Sequence, residues 1–122
     1  MSGRRLKGLR LLVAEDEALV AMLVEDTLRA LGCPCVGPAG NVPQALALLE
    51  REAADLALLE VKLGGGERSA PVADALAARA IRSNFVTGYG ASGIDRRYDP
   101  VRVLQKPVDG RQLAQAIAAG LD

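Results

Sequence analysis

What most constrains this chain is a series of short apolar runs, each cut off by polar residues and followed by a helical segment. The first run, Leu9-Arg10-Leu11-Leu12-Val13-Ala14, stops at Glu15-Asp16-Glu17. A run of this length with polar bounds suits a strand buried on both faces. From Ala18 to Leu31 apolar residues recur at three and four, as Leu19, Leu23, Val24, Leu28 and Leu31, and Gly32 ends the helix. Cys33 to Gly37 reads as a second strand, stopped by Gly37-Pro38. Asn41 caps a helix with Pro43 in its first turn, running to about Glu52. Asp55 to Leu59 is a third strand ending at Glu60, and Gly64-Gly65-Gly66 reads as a flexible loop. Ser69 caps a helix, Asn84 to Thr87 is a fourth strand, and Val101 to Gln105 a fifth. Asp109 then caps a last helix with Leu113, Ile117 and Leu121 on its apolar side. Strands alternating with helices in this way predict βαβ units, hence a parallel sheet covered by helices on both faces.

At 122 residues the chain is one domain. Residues 1–8 carry Arg4, Arg5 and Lys7 and read as a flexible basic tail before a domain over 9–122. Composition removes several kinds of chemistry. With no His, this chain has no Ser-His-Asp or Cys-His catalysis, no His-based zinc site and no phosphohistidine. Aromatics are 2 % of residues, too few for a base-stacking platform. A formal net charge of zero gives no bulk attraction to nucleic acid or anionic membrane. No apolar run approaches the roughly 20 residues of a spanning helix, and no signal-peptide pattern is present. The expected location is therefore cytoplasmic. Cys33 and Cys35 flank Pro34, and their side chains are expected to splay apart as reduced, half-buried thiols.

In an open parallel sheet the ligand site lies beyond the carboxyl ends of the strands. Those ends carry Glu15-Asp16, Glu60, Thr87 and Lys106-Pro107. In that order, on those strands, they make the chain resemble the receiver domain of bacterial response regulators, the CheY-like fold. The resemblance runs from about Leu9 to Leu121. It implies a three-layer, doubly wound, flavodoxin-like fold with a five-stranded parallel sheet in the order 2-1-3-4-5. Gly88, Gly90 and Gly93 imply a short or irregular fourth helix. The segment Phe85-Val86-Thr87-Gly88-Tyr89-Gly90 also resembles a receiver subgroup with Thr-Gly-Tyr at this place.

The resemblance implies a two-component phosphorelay function, in which a phosphohistidine donates a phosphoryl group to an aspartate. It places Mg²⁺ on Glu15, Asp16 and the acceptor position Glu60, with the backbone carbonyl of Lys62 as a further ligand. Lys106 and the metal would offset phosphoryl charge, and Thr87 would bind a phosphate oxygen as a switch. The peptide bond before Pro107 is implied to be cis. The implied partners are a sensor histidine kinase or phosphotransferase and a downstream output protein. Neither nucleic acid nor membrane is a direct partner, and a homodimer would use the fifth strand and last helix.

The chain departs from this family at the acceptor. Glu60 stands where receivers have Asp, and its extra methylene carries the carboxylate about 1.5 Å further out. An error of about 1 Å in attack geometry can cost ~100-fold in rate. Lys62 replaces a small polar residue beside the metal, and Val103 stands where a switch aromatic is common, which leaves Tyr89 as the switch aromatic. Like charges about 4 Å apart repel by ~4 kcal/mol at an effective dielectric near 20, so clustered carboxylates need Mg²⁺ or the ammonium groups of Lys62 and Lys106. Together these departures favour a pseudo-receiver, standing alone and acting through phosphorylation-independent contacts, with Glu60 as a phosphomimetic.

Each residue also has a plainer reading. Glu15-Asp16 alone would be a solvated helix start, Glu60 a surface acid, Thr87 an ordinary strand residue and Lys62 a solvent-facing charge. The main alternative function is a receiver that is still phosphorylated. A small Mg-dependent phosphohydrolase lacks a second acid placed as a base. A flavodoxin-like binder would need a phosphate-cradling loop where Glu15-Asp16-Glu17 stands. The chain is not expected to be an enzyme.

Overall fold

The computed structural model describes residues 7–87, 103–105 and 110–121. Among these residues five strands form one sheet: β1 (Leu11–Ala14), β2 (Cys35–Ala39), β3 (Leu56–Glu60), β4 (Arg82–Thr87) and β5 (Val103–Gln105). Their order is β2-β1-β3-β4-β5, and every neighbouring pair is parallel. Four α-helices are present among the described residues: α1 (Ala18–Leu31), α2 (Val42–Arg51), α3 (Ala70–Ala78) and α4 (Gly110–Leu121). The expected fourth helix between β4 and β5 falls on residues outside those described.

Period two along the strands sorts the core into two layers. Leu12 and Ala14 of β1 and Ala57 and Leu59 of β3 pack with Val42, Ala45 and Leu49 of α2 and Val72 and Leu76 of α3. Leu11 and Val13 of β1 and Leu56 and Leu58 of β3 face the other way, toward Val24 and Leu28 of α1 and Leu113 and Ile117 of α4. Both layers are aliphatic apart from Phe85 and Cys33. The central strands β1 and β3 are buried along their whole length, which is why they read as unbroken apolar runs.

Local chemistry fixes the helix ends. Gly32 closes α1 with φ 79°, a conformation that glycine adopts without a Cβ penalty. Asn41 opens α2, its Oδ1 accepting from the Gln44 N–H at 2.9 Å. Gln44 reaches back, its Oε1 accepting from the Gly40 N–H at 2.8 Å. Ser69 does occupy the start of α3, but its side chain makes no capping bond, and the residue is buried.

Several expected boundaries move. The second strand is Cys35–Ala39 rather than Cys33 to Gly37, so Pro38 lies inside it. Because β2 is an edge strand, its outer side needs no donor and tolerates the proline. The third strand takes in Glu60 and leaves out Asp55, whose carboxylate Oδ2 instead accepts from the Arg10 N–H at 2.8 Å. Cys33 and Cys35 do not splay apart. Both pack against the α1/α4 layer, as residues two apart in an extended segment must, and both are free thiols. The glycine loop is also more ordered than expected: Gly64–Gly66 form a short 3₁₀ turn, flanked by an antiparallel bridge between Lys62 and Arg68. The cis peptide bond found among the described residues precedes Pro38, while Pro107 lies outside them.

Candidate functional site

The β1–β3 register places the site. Leu11 to Ala14 pair in step with Leu56 to Leu59, so the next residue on each strand is Glu15 on one side and Glu60 on the other. By strand parity both carboxylates leave the sheet on the α1/α4 face. Both residues are buried, with 6 % and 7 % of their surface exposed. Glu17 follows Glu15 by two, so it returns to the same side. Carboxylate oxygens of Glu15, Glu17 and Glu60 lie within 4.8 Å of one another. Asp16, between two members of this cluster, is exposed and is not one of them.

Backbone amides orient two of these carboxylates. Glu15 Oε2 accepts from the Glu17 N–H at 3.1 Å, just before the first turn of α1. Glu60 Oε2 accepts from the N–H of its own neighbour, Val61, at 2.7 Å. The Glu60 side chain is therefore folded back along the chain rather than fully extended. A grouping of carboxylate oxygens this close offers the ligands that a hard divalent cation takes.

Thr87 is the last residue of β4 and stands opposite Gln105 in the register with β5. Glu60 stands opposite Val86, so the strand ends bearing Glu60 and Thr87 are adjacent. Lys62 is exposed. Lys106, Pro107 and Tyr89 lie outside the described residues, so the site is seen from its β1, β3 and β4 sides. Glu17 is a member of this carboxylate group that the strand-end pattern did not name. Parity along Glu15-Asp16-Glu17 would have found it, because alternate residues of an extended segment share a side.

A second concavity lies at the opposite, amino end of the sheet. This groove of about 370 Å³ is lined by Glu25, Arg29, Gly32, Cys33, Pro34 and Cys35. Burial pushes the Cys33 thiol up from its ordinary value. Cys35 is pushed up to about 11, first by burial and then by the Glu25 carboxylate, with Arg29 opposing. At neutral pH these thiols are protonated and poor nucleophiles.

No family model matches the chain. SdrG from Sphingomonas melonis Fr1 is 43 % identical over the full length of both chains, with a TM-score of 0.84. The response regulator PhyR from Brucella abortus is 28 % identical, with a TM-score of 0.83 over 98 % of this chain and 51 % of PhyR. The chain belongs to the receiver domains of response regulators. The receiver also matches the transcriptional regulatory protein PdtaR of Mycobacterium tuberculosis at 43 % identity over 54 residues. That match covers 44 % of the receiver and 26 % of PdtaR, so the receiver spans about a quarter of the curated relatives it matches. Its role is that of a two-component receiver, and no helix among its described residues is long and apolar enough to cross a membrane.

Proposed function

We propose that this receiver signals through protein contacts without carrying a phosphoryl group on Glu60. The observation that supports this most is the bond from the Val61 N–H to Glu60 Oε2, at 2.7 Å. An acceptor carboxylate must present a free oxygen in line with the incoming phosphorus. Here one oxygen is held by the adjacent peptide, and the group is buried among carboxylates. Glu60 then supplies a permanent negative charge where a phosphorylated aspartate would supply a transient one. The chain is thus a signalling module, not an enzyme, with the cytoplasm as its compartment and residues 1–8 as a basic tail.

Contact with partners has a surface available. Leu19, Met22 and Leu23 are exposed on the first two turns of α1, at 81 %, 57 % and 54 %. Large apolar residues exposed together mark contact sites more often than they occur by chance. The proposed partners are a histidine kinase or phosphotransferase and an output protein. A homodimer through β5 and the last helix belongs to the same reading.

The oxygen donors fit Mg²⁺, with Glu15, Glu17 and Glu60 as the residues that would hold it. Bound there, the ion would offset carboxylate repulsion. Lys106 and Thr87 are proposed to face the same centre, with Tyr89 as the aromatic that follows its state. The Lys62 backbone carbonyl and Asp16 complete the set that the family resemblance implies.

A second reading keeps phosphorylation. SdrG, at 42 % identity, has a BeF3-activated conformation. Intact-mass spectrometry after incubation with acetyl phosphate and Mg²⁺ separates the two. The proposal expects a phosphoryl adduct on the Glu60→Asp variant and none on the native chain. An adduct on the native chain overturns it.

A further inference from the structure

The loop after Glu60 is strapped to the turn that opens α2. The Gly64 N–H donates to the Gly40 carbonyl at 2.9 Å. This contact depends on Gly64 having no side chain: a Cβ there would meet Gly40 O at 2.9 Å and Asn41 Cβ at 3.7 Å. Leu63, one residue earlier, is 1 % exposed and shares the α2/α3 core layer with Val42 and Ala45 of α2.

The other end of the same segment is held by the site. The Val61 N–H is bound by the Glu60 carboxylate, and the Val61 carbonyl accepts from the Ser69 N–H at 2.9 Å. Leu63 N–H donates to Glu67 O at 2.7 Å, which closes the loop into a small hairpin. Residues 61–64 are therefore a short link, buried at Val61 and Leu63 and tied by backbone bonds to Ser69, Glu67 and Gly40. On its far side, Gly40 is bound again by Gln44, and Asn41 caps α2.

We infer that the Glu60 carboxylate and the α2 N-terminus are mechanically linked through residues 61–64, so that a change in the charge or partners of Glu60 is read out at Gly40–Gln44. A packed segment this short has little room to absorb a displacement between its two anchored ends. When Glu60 Oε2 lets go of the Val61 N–H, the movement passes to Leu63 and Gly64, and the Gly64–Gly40 bond either moves the α2 turn or breaks. The linked surface includes the exposed Pro43 and Gln44. It is separate from the exposed stripe on α1. The inference concerns whatever occupies Glu60, so it stands or falls independently of phosphorylation.

The test is amide NMR on the full chain with Glu60→Gln, which keeps the side-chain shape and removes the charge. Amide resonances of Gly40, Asn41 and Gln44 are expected to shift, while those of Arg29 and Gly32 at the amino end of the sheet stay in place. In a Gly64→Ala background the shift at Gly40–Gln44 is expected to fall at least about twofold, since the strap is gone. Equal shifts in both backgrounds, or none at Gly40–Gln44 in the native background, overturn the inference. Should Gly64→Ala not fold, hydrogen exchange decides it without that variant. The Gly64 amide should exchange about tenfold faster in Glu60→Gln than in the native chain. An unchanged Gly64 rate counts against the link.

Discussion

The two ends of the sheet treat acidic residues in opposite ways. At the amino end, acids are matched to a cation. Arg10 donates from Nε to the Ala53 carbonyl at 2.8 Å and from its guanidinium to Glu52 Oε1 at 2.9 Å. Its backbone N–H donates to Asp55, and the Asp55 N–H donates to the Arg10 carbonyl at 2.7 Å. At the carboxyl end, Glu15, Glu17 and Glu60 are gathered with their oxygens within 4.8 Å, two of them buried. One end uses opposite charge to join β1 to β3; the other gathers carboxylates whose mutual repulsion has to be offset locally. Clusters of like-charged groups held together in this way collect where a protein works.

Substitutions at the two ends should therefore differ in sign. The largest effect is expected from Arg10→Ala, which removes both side-chain bonds at the amino end. Allowing for its partial exposure, it should cost about 1.5 kcal/mol in urea unfolding. A loss below the error of the fit would show that the clamp contributes nothing. Next, Asn41→Ala removes the α2 cap and should cost about 1 kcal/mol, with Asn41→Asp recovering most of it. Glu17→Gln should act the other way. Thinning the carboxylate cluster should raise the unfolding midpoint by an amount equivalent to about 0.5 kcal/mol in low salt, and by less in high salt. A lower midpoint would mean that Glu17 is held by more favourable contacts than the crowding it adds.

The smallest effect at neutral pH belongs to Cys35. Its folded value is raised, so its contribution is complete below the unfolded value and lost as pH climbs. Stability should decline between about 9.0 and about 11, where the unfolded chain ionises before the folded one. A Cys35→Ala variant should show a flatter decline over that range in urea midpoints measured against pH.

Much of this was legible in the residue order. The apolar runs ending at Glu15 and Glu60 located both central strands, because strands buried on both faces cannot hide their composition. Gly32 and Asn41 marked helix ends through their own backbone and side-chain chemistry. Errors arose where tertiary context overrode a local signal. Pro38 ends a central strand but is admissible on an edge, and being at the edge is a property of the sheet, not of the segment. The three glycines signalled freedom, yet Leu63 beside them is buried in the core and Gly64 uses its small size to approach Gly40. The site was legible as a set of strand ends, while its membership was not. Asp16 was named by its adjacency to Glu15, while the register and the period of two add Glu17 to the carboxylates gathered beside Glu15 and Glu60.

The proline in β2 has one more consequence. A parallel sheet needs a way to stop growing sideways, since a bare strand edge is a template for another molecule. On this border Gly37 and Pro38 are both exposed, and Pro38 has no N–H to offer. Gly37 adds a bend, with φ at 104°, where an incoming strand would need a straight partner. Residues that cut short the sequence pattern therefore also make this border, bent and irregular in register, a poor template for another strand.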